Sequence, residues 1–182
     1  MSGTLCGHID PPLNAVGWRQ SSNLACLLRH HDIRMLYASD LLRAVQTAAV
    51  LKEALGVGVV VRPDLREISF GAWEGRSWSE LRTNGLCSGI QGFESSPDIC
   101  APGGESFVHF RERALRALKH IASGTEKHPI GIVTHIGVIR VALRYLGGAG
   151  YPNRQQPIHP CSVYRFAVID EAFTYAGRLT TP

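Results

Sequence analysis

His135 stands in the run Thr134-His135-Ile136-Gly137, after a β-branched stretch and before an apolar stretch with helical spacing. A histidine so placed lies beside helix N-terminal amides, whose dipole draws an anion such as phosphate. The same placement suits a histidine satisfied by a backbone carbonyl at a strand end, and the residue type does not choose between the two. Arg43 falls one turn into a helix that begins where another strand ends. Its guanidinium can fork onto phosphate oxygens, although spacing alone fits a solvated helix arginine better. Glu67 sits between apolar residues in an irregular segment. Partial burial there would raise its pKa and suit it to general acid–base work, with a surface carboxylate as the plainer alternative.

Other candidates read as structural. Arg29-His30-His31 forms the cationic end of a helix, where positive charge complements the dipole. His8, His109, His120, His128 and His159 show no H-E-x-x-H spacing, so no metal site is expected from them.

These residues need elements to position them. Asn14 is a cap for a helix over about 15–30, with Val16, Leu24, Leu27 and Leu28 inward. Residues 33–38 read as a strand. Ser39 or Asp40 would cap a helix over 40–55 with Leu42, Val45, Ala49 and Ala54 inward, ended by Gly56. Residues 57–61 read as a buried strand, and 64–75 as irregular. Ser77 to Glu80 is a capping box. Residues 83–104 hold five Gly, two Pro, three Ser and two Cys, which predicts a long loop; a lid over about 76–104 would shape the pocket. A long amphipathic helix over 105–122 follows, with Phe107, Phe110, Leu115 and Leu118 inward. Then come a buried strand over 129–134, a helix over 136–146, and two strands over 161–169 and 173–179.

Strands alternating with helices predict an α/β fold, a three-layer sandwich around a mostly parallel sheet. Ligands of such sheets bind beyond the carboxyl ends of the strands. That rule brings Ser39 to Arg43, Glu67, and Thr134 to Gly137 towards one pocket.

Composition excludes several classes. The 182 residues carry 19 Lys and Arg against 15 Asp and Glu, a net charge of +4, with no run of five like charges and no apolar stretch of 18 residues. Neither nucleic acid nor a membrane is therefore an expected partner. Residues 1–5 lack the basic and apolar regions of a signal peptide. The five cysteines are odd in number and widely spaced, as expected for reduced, mostly buried thiols of a cytoplasmic protein.

Taken in order, the segments resemble the histidine phosphatase superfamily of phosphoglycerate-mutase-like proteins. Gly7-His8-Ile9-Asp10-Pro11-Pro12-Leu13 is similar to the loop G-x-x-D-x-P-L. Ser39 to Ala48 is similar to S-x-L-x-R-A-x-Q-T-A, and Leu65 to Gly75 to L-x-E-x-x-F-G-x-W-E-G. Pro102 to Ser106 matches P-G-G-E-S, and Val133 to Arg140 resembles the segment around the second catalytic histidine. The flavour is that of α-ribazole and broad-specificity phosphatases. The resemblance implies one domain over 1–182 that hydrolyses a phosphorylated small molecule through a phosphohistidine, without metal or other cofactor. It implies Arg43 as a phosphate clamp, Glu67 as general acid and base, His135 as the second histidine, and the Ile136 amide as a phosphate donor.

The family's R-H-G segment, which supplies the nucleophilic histidine, has no counterpart before Cys6, where residues 1–5 hold neither Arg nor His. Its strand is expected centrally in the sheet, between the strands ending near Ala38 and Thr134. Met1 is therefore expected to stand at an internal position of a longer product, and residues 1–182 to be inactive alone. The alternative is a catalytically dead relative that binds phosphate esters or proteins. An open sheet edge also leaves a homo-oligomer open.

Overall fold

The computed structural model describes residues 4–83, 100–124, 128–148, 157–170 and 172–179. Helix α1 spans Ala15–Leu28 and starts where Asn14 accepts a hydrogen bond from the Gly17 amide through its side chain. Strand β1, Met35–Ala38, runs parallel to β2, Gly58–Val61, on one side and to β3, Ile130–Val133, on the other. Helix α2, Leu42–Leu55, connects β1 to β2 and stops at Gly56, whose φ of 69° is left-handed. The short helix α3 is Trp78–Thr83, the long α4 is Phe107–Ser123, and α5 is Ile136–Tyr145. Strands β4, Val163–Ile169, and β5, Ala172–Leu179, form an antiparallel hairpin.

Period-2 alternation in β1 decides the layers. Leu36 points to α1 and α2, where Leu24, Leu28 and Leu51 bury it to 1% exposure. Tyr37 points to the other face, where Phe110, Ala114, Val138 and Val141 of α4 and α5 pack. Full burial of one such leucine contributes about 2–3 kcal/mol. This is the α/β sandwich that the pattern of elements predicts.

The hairpin shares both layers. Phe166 and Phe173 join the α4–α5 side, and Val163 and Leu179 join the α1–α2 side. Among the described residues, however, the three-stranded sheet β2-β1-β3 and the hairpin β4-β5 are separate hydrogen-bonded units. The expected break between the strands ending at Ala38 and Thr134 is corrected: β1 and β3 pair directly, Met35 opposite Ile130 through Ala38 opposite Val133. The discontinuity lies on the far side of β3.

Several local expectations also change. The α2 cap is neither Ser39 nor Asp40. The helix starts two residues later, and the Leu42 amide donates to the Asp10 carboxylate, 32 residues away in sequence. Its inward stripe is Ala44, Ala48 and Leu51, while Leu42 is exposed, because the small residues allow close approach to α1 and the sheet. Val16 is exposed for the same geometric reason, lying off the α1 stripe of Ser21, Leu24, Ala25 and Leu28. Strand β2 is not buried: Val60 and Val61 are exposed because it is an edge strand with one neighbour. Cys6, Cys26 and Cys100 are exposed free thiols and Cys161 is half-buried, since none falls on an inward stripe. The capping box forms as expected, with the Ser77 amide donating to Glu80 and the Glu80 amide to Ser77 Oγ. Most of the loop expected over 83–104, residues 84–99, lies outside the described residues.

Gly71 packs against the backbone of residues 102–104. Its φ is 47°, and a Cβ there would stand 2.4 Å from the Gly104 amide nitrogen and the Pro102 carbonyl oxygen. Gly56 has a similar φ but nothing within 4 Å of such a Cβ. Urea unfolding is expected to show Gly71→Ala costing about 3 kcal/mol and Gly56→Ala only about 1 kcal/mol, because only the first adds a backbone clash to the strain.

Candidate active site

The carboxyl ends of β1 and β3 lie side by side, so Ser39 and His135 become neighbours. His135 Nε2 and Ser39 Oγ are 2.8 Å apart, and Ser39 Oγ also accepts from the Leu41 amide. Both side chains are buried. Burial holds the His135 pKa down to about 3, aided by the positive charges of Arg43, His8 and Arg113. His135 is therefore a neutral imidazole at ordinary pH.

Glu67 lies across from it, beside the N-terminus of α5. One carboxylate oxygen accepts from its neighbour Ile68's amide and the other from the Gly137 amide, each at 3.0 Å. Burial raises its pKa, against the pull of these two amides and of the Arg43 and Arg140 charges. A carboxyl that retains its proton above the usual range is suited to general acid work. Gly137 is required for the contact, because a Cβ there would fall 2.0 Å from the Glu67 Oε1 atom.

Arg43 reaches the same site electrostatically, acting on both Glu67 and His135. Its guanidinium donates to the carbonyls of Gly7 at 2.8 Å, Ile9 at 3.0 Å and Cys6 at 3.4 Å, with the Asp10 carboxylate 4.0 Å away. It thus ties the N-terminal loop to α2. The loop is held from its other side by Glu74, which accepts from the amides of His8, Ile9 and Phe70. Ile136 is the first residue of α5, directly after His135. The fold therefore gathers His135, Ile136, Glu67 and Arg43 at one end of the sheet.

Other groups here carry no role read from the sequence. His8 Nε2 bonds the Glu67 carbonyl at 3.0 Å. Arg66 forms a bidentate pair with Asp40, which holds the Asp40 pKa below its usual value. Arg113 pairs with Glu105. A cleft of about 430 Å³ is lined by His8, Arg66, Ser69, Glu105, His109 and Arg113; Glu67, Arg43 and His135 are not among its lining residues. The quoted motifs contain Ser39, Glu74 and Glu105, but which atoms they bond depends on which strands become neighbours. His109 and His120 are exposed.

The fold and site define an α/β protein with a histidine, a buried carboxyl and several guanidinium groups gathered at the carboxyl ends of parallel strands. The chain belongs to the histidine phosphatase superfamily, branch 1, whose family pattern matches residues 1–178. It is 37% identical over 145 residues to the bifunctional protein Rv2228c of Mycobacterium tuberculosis, covering 79% of this chain and 40% of that one. It thus spans about two fifths of the length of that relative. A phosphoglycerate mutase structure from Thermus thermophilus is 36% identical, with a TM-score of 0.67, covering 98% of this chain and 90% of that one. An α-ribazole phosphatase structure from Shigella flexneri shares the fold with a TM-score of 0.81 at 24% identity, covering 98% and 89%. Among the described residues, no helix is long and apolar enough to cross a membrane.

The His135 environment predicts an acid sensitivity. The folded-state pKa near 3 lies below the ordinary 6.5, so between these values the unfolded chain binds the extra proton and stability falls as pH drops. Glu67 works in the opposite sense: its raised folded pKa favours the folded state at low pH and loses that contribution as pH rises. In urea unfolding at stepped pH, His135→Asn is expected to remove about 2 kcal/mol of the stability lost by the wild type between pH 6.5 and roughly pH 5.

Proposed function

We propose that these residues form the phosphate-recognising and proton-donating part of a phosphomonoester hydrolase acting on phosphorylated small molecules through a phosphohistidine. The observation that carries this reading is the joint placement of a buried Glu67, its pKa raised by burial, and a neutral His135 within reach of the Arg43 charge. In this reading Arg43, His135 and the Ile136 amide meet the phosphoryl oxygens. Glu67 gives its proton to the departing alkoxide as the phosphorus–oxygen bond breaks. It then takes a proton from the water that releases phosphate from the histidine. No metal or other cofactor enters these steps. The relatives' names, a phosphoglycerate mutase and an α-ribazole phosphatase, support phosphate esters of small molecules as the ligand class.

The nucleophile belongs to the same proposal. His135 is occupied with Ser39 and His8 with the Glu67 carbonyl. No described histidine is assigned as the nucleophile in this reading, and residues 1–182 alone are expected not to turn over. Support comes from the separation of β2-β1-β3 from β4-β5, two units that share the same apolar layers on both faces. A second reading, a phosphate-ester-binding relative without catalysis, is favoured by the engagement of Arg43 with the Cys6, Gly7 and Ile9 carbonyls.

Calorimetric titration with inorganic phosphate and the intact mass of the protein from its native cells test the two readings. The 182-residue chain is expected to bind phosphate, and Arg43→Ala to weaken binding about tenfold or more. Loss of no affinity in that variant overturns the clamp. A native mass above the 19.9 kDa of this chain, with a phosphohistidine signal on turnover, supports the hydrolase. A native mass equal to it, with binding and no turnover, selects the second reading.

A further inference from the structure

We propose that Arg113 is the positioning residue for Glu67: by gripping the backbone of residues 64–67 it sets where the Glu67 carboxyl meets the Gly137 amide. The inference rests on the reading of Glu67 as the proton donor, and it goes further by naming what fixes that group in place.

Every N–H of the Arg113 guanidinium is used. Nε donates to Glu105 Oε1 at 2.9 Å and Nη2 to Glu105 Oε2 at 2.7 Å. Nη1 donates to the carbonyls of Asp64 at 2.9 Å and Arg66 at 3.1 Å, and Nη2 also to that of Glu67 at 3.3 Å. Thr134 Oγ1 donates to the carbonyl between them, that of Leu65, at 2.8 Å. Four consecutive carbonyls outside any helix ladder or sheet are thus satisfied by side chains, three of them by one guanidinium. Converging carbonyl dipoles repel one another unless a cation sits at their focus. The fork is itself fixed on three sides: Glu105 holds it in plane, the Phe110 ring lies 5.2 Å from its central carbon, and both partners of the ion pair are about four-fifths buried.

The required tolerance is small. Glu67 Oε2 meets the Gly137 amide at 3.0 Å, and the Glu67 carboxyl packs where a Gly137 Cβ would be. A shift of the 64–67 backbone by a fraction of an ångström lifts the carboxyl off the start of α5. Arg113 touches no part of the Glu67 side chain, so its action runs through the backbone. A lysine keeps the positive charge but cannot reach three carbonyls and both oxygens of a carboxylate at once.

The test follows Glu67 itself and needs no turnover. Carboxyl carbons of glutamate are labelled with ¹³C, and the Glu67 resonance is assigned by its loss in Glu67→Gln. Its titration and the hydrogen exchange of the Gly137 amide are then measured in wild type, Arg113→Lys and Glu105→Gln. In Arg113→Lys the Glu67 midpoint is expected to rise further, because its carboxylate loses the Gly137 amide, and the Gly137 amide to exchange about tenfold faster. Glu105→Gln should move both in the same direction by less. An unchanged midpoint and exchange rate in folded Arg113→Lys, whatever its loss of stability, overturn the inference. If that variant does not fold, the same two readouts in Glu105→Gln decide it. Failure of Glu67 as proton donor would appear elsewhere, as full turnover by Glu67→Gln on substrates with poor leaving groups in the complete enzyme.

Discussion

A carboxyl group buried against two backbone amides organises this site. Glu67 belongs to neither a helix nor a strand, yet its carboxyl joins the irregular segment after β2 to the first turn of α5 through Gly137. The contact requires that residue 137 lack a Cβ and that α5 begin directly after His135. It also requires a segment that cannot slide. The contact brings the buried carboxyl and the neutral imidazole to one end of the sheet.

Positive charge is abundant around this point and almost all of it is engaged. Arg66 is locked to Asp40, Arg62 to Asp64 and Arg113 to Glu105, each at under 3 Å, and Arg43 is held by three loop carbonyls. Charges fixed in this way set a field without moving. Arg43 and Arg113 help keep His135 neutral, and Arg43 and Arg140 oppose, without cancelling, the effect of burial on Glu67. The carboxylates of these pairs serve chiefly to aim the guanidinium groups. Mobile, solvated arginines would supply the same formal charge with less direction.

The residues and the layers were legible at different levels. Periodicity located the five strands seen among the described residues and the long helices, because the side-chain repeat of an element is a local property. Which face each helix buries was less legible. In α2 the inward stripe is the small-residue row Ala44 and Ala48, chosen by the closeness of α1 and not by hydrophobicity. The α2 cap shows the same limit, since Asp10 reaches the Leu42 amide across 32 positions. The strand order was misplaced for a similar reason. Nothing local in Met35–Ala38 or Ile130–Val133 says that the two pair with each other.

By itself, the sequence determined the element types and the alternation that makes an α/β sandwich, and its motifs resemble the family segments in which Arg43, Glu67, His135 and Ile136 stand. These are local patterns, fixed by residue type and spacing. Tertiary structure alone decided that Ser39 would meet His135, that Arg113 would collect the carbonyls around Glu67, and that β3 would pair with β1 but not with the hairpin. Such contacts join residues tens of positions apart, and their energy depends on burial and direction, which exist only once the layers have closed.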